Sequence, residues 1–390
     1  MPDILQRSQF RNFLVSVCLL VLLLGFFSFI KQHNAKISHP GAHLGGADFV
    51  AYWSAYQVAR SGSNPYSAEE TLKIQKDISD EVVTSQLFFN PPWMLTALSP
   101  ILVLDYSTSC ALWFVCNLIM LVASGLLIGI GNPKLSPIKL LLLTLFFVPA
   151  LEAVQLGQLS ILILFLFVMF IHHFENRPLL SAICLALIGI KPQILLIALV
   201  FVGARLIVSR EFKFVASVLI VFLGLLVATH LQFPNLFGYW EPQSQSPVFY
   251  KSATLSTWVR ILFSSTQGYV VWPVYVVPLV GILIAGLYYL RAGRLPRISL
   301  RSLSPLLCVS VFFAPYGWIF DQSILLIIPI IMTCSFNWAF GYYMILQTVT
   351  YFSRYAVGSQ HYYAWYPLAI GLPLLVEFFC SKEEGCDDSI

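Results

Sequence analysis

The sequence predicts an all-α integral membrane protein with roughly a dozen spans. Three observations carry this. Hydrophobic residues make up 58% of the 390-residue chain and charged residues only 10%. The mean hydropathy is +0.80, far above soluble averages. Apolar runs long enough to be membrane helices recur along most of the length, so the polar stretches between them are loops of one polytopic domain over residues 1–390.

The first run, 12–30, follows Arg7 and Arg11, and its flank "FFSFIKQHN" offers no small-residue cleavage site. It is expected to be an uncleaved anchor with a cytoplasmic amino terminus. In "ADFVAYWSAYQVARSG", Asp48, Tyr52, Ala55 and Ala59 share one helical face, and Gly62, Asn64 and Pro65 stop the helix. Such a helix is expected at the membrane surface with its aromatics at headgroup depth. The run "PPWMLTALSPILVL" (91–104) is short and carries Pro91, Pro92 and Pro100, so it reads as a half-helix or re-entrant piece. The remaining expected spans are 108–130, 139–153, 157–173, 179–190, 192–208, 213–230, 269–290, 302–314, 319–335, 337–353 and 362–380.

The loop "RAGRLPRISLR" (291–301) has four arginines and no acid, and is expected on the cytoplasmic side. Counting outward from it puts 31–107 and 231–268 outside, and the tail 381–390 inside. This holds if 91–104 does not cross; the alternative leaves more Lys and Arg outside.

A net charge of +4 with no basic stripe argues against nucleic acid as a partner. The cysteines at 18, 110, 116, 184, 308, 334, 380 and 386 have neither disulfide nor metal-type spacing, and no metal or other cofactor is expected.

Several polar residues need a reason. Asp48 stands where an acid commonly caps a helix, so capping is its plainer role and a catalytic carboxylate the sharper one. Lys191, in "IGIKPQILL", interrupts a long apolar stretch. A cation at bilayer depth costs about 2.5–3.5 kcal/mol, so it must snorkel, pair or line a cavity. Pro192 fits the first position of a new helix, where free N–H groups and the ammonium both attract an anion. Gln158, in "LEAVQLGQLS", suits either a turn or a ligand contact; Arg260, like Lys251 before it, suits either interface anchoring or an anion. Trp318 and Asp321 open the helix in "APYGWIFDQSILLIIP", as a belt aromatic and a cap or as parts of a polar site.

The expected topology delivers Asp48, Gln158, Lys191, Arg260, Trp318 and Asp321 to the external face. A base, cations and aromatic platforms at a bilayer surface suit a lipid-linked phosphorylated sugar. The stretches "DFVAYWSAYQVARSGSNPY", "FFNPPWMLTALSPILVLDYSTSCALW", "GQLSILILFLF", "ENRPLLSAICLALIGIKPQ" and "APYGWIFDQSILLIIP" resemble, in that order, the signatures of glycosyltransferase family 87, over about residues 10–335. The family's polytopic GT-C enzymes are typified by polyprenol-phosphate-mannose-dependent α-mannosyltransferases. The late stretch lacks the paired histidines of some members and resembles a bacterial subgroup.

The resemblance implies a GT-C-like helical bundle in the inner membrane, moving a sugar from a polyprenyl-phosphate donor to a lipid or glycan acceptor outside, with inversion. Asp48 corresponds to the family's acid after the first span and would be the base. Lys191 and Arg260 would bind the donor phosphate, and Tyr52, Gln158, Trp318 and Asp321 the sugar or acceptor. A transporter or flippase of lipid-linked glycans is the competing class, but no internal repeat is evident and the polar residues gather on one face.

Overall fold

The protein is described by a computed structural model covering residues 20–130, 135–240, 247–264 and 270–383. The start of the expected first span with Arg7 and Arg11, parts of the loops at 131–134, 241–246 and 265–269, and the end of the tail lie outside the described residues.

Every regular element among the described residues is helical. In chain order they are α1 (20–34), α2 (Phe49–Arg60), α3 (Ala68–Ile78), α4 (Trp93–Leu102), α5 (Tyr106–Gly129), α6 (Pro137–Leu145), α7 (Val148–Leu156), α8 (Ser160–His173) and α9 (Pro178–Ile188). Then come α10 (Leu196–Val208), α11 (Phe212–Gln232), the single turn α12 (Leu236–Tyr239), α13 (Leu255–Phe263), α14 (Pro273–Arg291), α15 (Leu300–Phe312), α16 (Ile327–Ser335), α17 (Asn337–Ala356) and α18 (Tyr366–Glu383).

The expected apolar segments after the first are all helical, but many are shorter than a crossing. Among the described residues only α5, α11 and α14 are long and apolar enough by themselves. The expected span 139–153 is two helices, α6 and α7, bent by 54°. The expected spans 192–208 and 319–335 begin with 3-10 turns, Pro192–Ile194 and Ile319–Leu326. Hydropathy runs straight through the break between α6 and α7 because Phe146, Phe147 and Val148 there are apolar. The piece at 91–104 is the ten-residue α4, about 15 Å long and half a hydrocarbon core.

The chain divides into two compact units, residues 1–88, 98–119 and 154–157 in one and 89–97, 120–153 and 158–390 in the other. In the first, α2 is expected as a surface helix with one face on lipid. Instead nine of its twelve residues are buried. Small and apolar side chains stand on most of its faces, so it fits inside protein. Its two half-buried polar side chains satisfy carbonyls just past a helix end: Trp53 Nε1–H donates to Leu104 O at 2.9 Å and Gln57 Nε2–H to Leu102 O at 3.0 Å. At its far end Gly62, at φ +81°, takes the left-handed turn that stops the helix as expected.

In the second unit α8, α9 and α11 pack together, as do α10 with α15 and α16 with α17. Small residues bring helices close. A Cβ added at Gly125 of α5 would lie 2.3 Å from Thr144 Oγ1, and one at Gly129 would lie 2.8 Å from Leu140 Cδ2, so this GxxxG face fits α6.

Candidate functional site

In the first unit, three carbonyls at the end of α7 would be orphaned by the helix stop. Gly45 N–H donates to Gln155 O at 2.8 Å, Asp48 N–H to Leu156 O at 2.9 Å, and Trp113 Nε1–H to Gly157 O at 2.7 Å. The backbone carrying Asp48 is thereby tied to a helix end. Asp48 occupies the N-cap position of α2 with φ −106° and ψ −22°, and its side chain makes no capping hydrogen bond. Capping needs extended backbone angles at that position, and helical angles turn the carboxylate away from the N–H groups it would cap. The carboxylate is half-buried. Tyr52, one turn on, is buried, with the edge of its ring system against Phe49, which stacks on Trp113.

The second unit brings together Gln158, Lys191, Trp318 and Asp321. Gly189 ends α9, and Pro192 pushes the residue before it off helical geometry, so Lys191 sits in the break at φ −145°. Lys191 is 4% exposed, and its ammonium lies 2.5 Å from Asp321 Oδ1, 3.2 Å from Gln158 Oε1 and 3.4 Å from Ser160 Oγ. An ammonium has three N–H donors, and all three have protein oxygens to take them. The same Nζ is 5.2 Å from the centre of the Phe320 ring, a cation–π distance. A phosphate would reach Lys191 directly only by displacing one of these partners.

Asp321 is 1% exposed. Its Oδ1 accepts from Lys191 and, at 2.6 Å, from Ser160 Oγ–H. Its Oδ2 accepts from Trp318 N–H at 3.0 Å. Asp321 is thus not the N-cap, which is Trp318, but the third residue of the turn, whose side chain reaches back to the N-cap backbone; its ion pair with Lys191 is not anticipated by the sequence. Burying two charges is costly, and such a pair survives only when hydrogen bonds complete it, as Ser160, Gln158 and the Trp318 amide do here.

The loop before Asp321 is fixed at several residues besides Trp318. Ala314 O accepts from Ser256 Oγ–H at 2.7 Å, Gly317 O from Ala253 N–H at 2.7 Å, and Ile319 N–H donates to Gln360 Oε1 at 3.1 Å. Arg260, on α13, is buried and donates from its guanidinium to Tyr250 O. The Tyr250 ring is 6.3 Å from that of Trp318, and the Tyr316 ring 6.1 Å from it. Burial, with the Asp321 carboxylate beside it, pushes the Tyr316 hydroxyl up to about 12, so it is a protonated donor at neutral pH.

Sequence reasoning did not single out Ser160, Tyr250, Tyr316 or Phe320. Ser160 and Tyr316 stand within motifs quoted for other residues, two positions from Gln158 and from Trp318, and spacing alone could have raised them. Tyr250 and Phe320 carry no such signal among so many aromatics.

The cluster in the second unit can hold an aromatic wall in place, and the half-buried carboxylate in the first can accept a proton. No curated protein and no solved structure matches the chain. The profile of glycosyltransferase family 87 matches residues 88–316, more than half of the chain, taking in Gln158, Lys191 and Arg260. The chain belongs to glycosyltransferase family 87 and is a membrane glycosyltransferase.

Proposed function

We propose that the protein transfers a sugar from a polyprenyl-phosphate donor to a hydroxyl of a lipid or glycan acceptor on the external face of the cell membrane, with inversion. The acceptor oxygen attacks the anomeric carbon as the bond from that carbon to the phosphate oxygen breaks. Polyprenyl phosphate leaves with the electron pair, and the acceptor proton passes to the Asp48 carboxylate. The leaving group is already a good one, so no acid need protonate it. What the reaction needs is a positioned base and positive charge where the phosphate gains negative charge.

The observation that carries this reading is the Asp48 carboxylate, half-buried, released from capping and borne on a backbone tied to the end of α7. A base must be held firmly and still be reachable by the acceptor. Arg260 is given the direct phosphate contact, because a guanidinium has five N–H donors in a fork suited to phosphate oxygens. Lys191 reaches the phosphate by exchanging one of its present partners for a phosphate oxygen, with Asp321 and Gln158 keeping the ammonium in place. Trp318 is the sugar platform, and Tyr52 backs the acid from one turn along α2.

Purified protein incubated with a panel of radiolabelled polyprenyl-phosphate sugars and membrane extract should move at least one label to an extractable lipid or glycan. A panel in which no label moves, while the protein remains folded, would count against this donor class.

A further inference from the structure

We propose that Trp318, Tyr250 and Tyr316 form a pyranose-binding subsite, held in shape by the Lys191–Asp321 pair. The inference rests on the reading of the protein as a sugar transferase and specifies how the sugar is recognised.

Trp318 supplies the floor. Phe320 stacks on it at 14° between ring planes with centroids 5.7 Å apart. Phe320 is itself buried, while Trp318 is only half-buried, so the indole surface away from Phe320 is the one a ligand can reach. Tyr250 and Tyr316 stand at 57° and 73° to the indole plane, as walls and not as further layers of a stack. Tyr250 is 46% exposed and Tyr316 half-buried.

The hydroxyls decide the ligand class. Neither the Tyr250 nor the Tyr316 hydroxyl has a protein hydrogen-bond partner among the described residues, although each can both donate and accept. An isoprenoid chain would satisfy the indole face and leave both phenols unpaired, which is costly once water is excluded. A pyranose has a face of C–H groups that packs on an aromatic ring and a rim of hydroxyls that meets phenols at its edge. The aromatic floor and polar walls together therefore select a sugar ring over a lipid tail.

Rigidity follows from the surrounding bonds. The Trp318 N–H is held by Asp321 Oδ2, the Gly317 carbonyl by Ala253 N–H, and the Tyr250 carbonyl by Arg260. Lys191 closes a ring of contacts, pairing with Asp321 while lying over Phe320, the ring that supports Trp318. Lys191 and Asp321 are thus positioning residues for the floor.

The test compares binding of farnesyl-phosphate mannose, glucose and galactose with binding of farnesyl phosphate bearing no sugar, by calorimetry on the full chain in detergent. Tyr250→Phe and Tyr316→Phe keep ring packing, so both variants should fold. The double variant should bind the preferred sugar lipid about tenfold more weakly than wild type and bind farnesyl phosphate unchanged. Trp318→Ala should show the same selectivity with a larger loss. Wild-type binding of the sugar lipid that survives all three substitutions would overturn the subsite and leave the transferase reading standing. Equal losses for sugar-bearing and sugar-free lipid would make the aromatics a lipid contact and overturn it as well. Wild type that binds no sugar lipid of the panel more tightly than farnesyl phosphate would overturn the subsite together with the proposed donor.

Discussion

Asp48 and Asp321 both stand at the head of a helical element, and the fold treats them in opposite ways. Asp321 is almost fully buried, with Lys191, Ser160 and the Trp318 amide sharing its two oxygens. Asp48 is half-buried, has backbone angles unsuited to capping, and is tied to the end of α7 through its own N–H. A carboxylate in a hydrogen-bonded ion pair is a poor base, because protonating it would strand the partner charge in a low-dielectric site. Main-chain anchoring of the kind Asp48 has positions a carboxylate without a capping role. Under the proposed mechanism the same residue type serves structure in one unit and chemistry in the other, and the two backbone settings distinguish them.

The sharpest way to break this comparison is Asp48→Asn. Asparagine matches the size of aspartate but cannot take up a proton at neutral pH. The variant should fold and bind farnesyl phosphate normally while losing transfer by roughly 10²–10⁴-fold. Near-normal transfer by this variant would move the base to Asp321 and reverse the assignment.

The second prediction tests the structural side. Asp321→Asn leaves the Lys191 ammonium buried without its counter-charge, and should destabilise the protein by about 3–5 kcal/mol, read as a lower unfolding temperature in detergent. Replacing both members, as Lys191→Met with Asp321→Leu, should recover most of that loss, since an apolar pair of similar volume carries no stranded charge. A double variant as unstable as the single one would mean that charge pairing is not what Asp321 contributes.

The family, the all-helical class and the position of nearly every apolar element were legible in the sequence, because burial in lipid or in a helical core leaves the same long apolar runs. The breaks were only partly legible. Pro192 announced the one at Lys191, and Pro149 in "LTLFFVPAL" stands at the 54° bend between α6 and α7, though a lone proline inside an apolar run does not by itself say whether the helix kinks or stops. The burial of α2 was hidden for a related reason: Tyr and Trp are equally at home in a membrane interface and in a protein interior. Of the site, each charged residue could be named because a charge in an apolar run is conspicuous. Their pairing could not, since Lys191 and Asp321 meet only through the fold, 130 positions apart by their numbers. The walls around Trp318 were lost among 18 tyrosines and 31 phenylalanines.

The last prediction sharpens the first half of the comparison, that the main chain holds Asp48. Gly157 and Gly62 both adopt left-handed backbone angles, φ +75° and +81°, so alanine at either carries a backbone strain of about 1–2 kcal/mol. Their surroundings differ. A Cβ at Gly62 meets nothing within 4 Å, whereas one at Gly157 would fall 2.1 Å from Gly45 O and 2.9 Å from Phe49 Cβ, the residues flanking Asp48. A carbonyl in the main chain cannot swing aside as a side chain can, so Gly157→Ala must push the 45–49 segment off the end of α7. Gly62→Ala should therefore lose a little stability and keep transfer, while Gly157→Ala should lose transfer by tenfold or more, because a shift of about 1 Å in a catalytic group is enough to cost that much. Equal transfer by the two variants would show that the contact between Gly157 and Gly45 does not set the position of the acid.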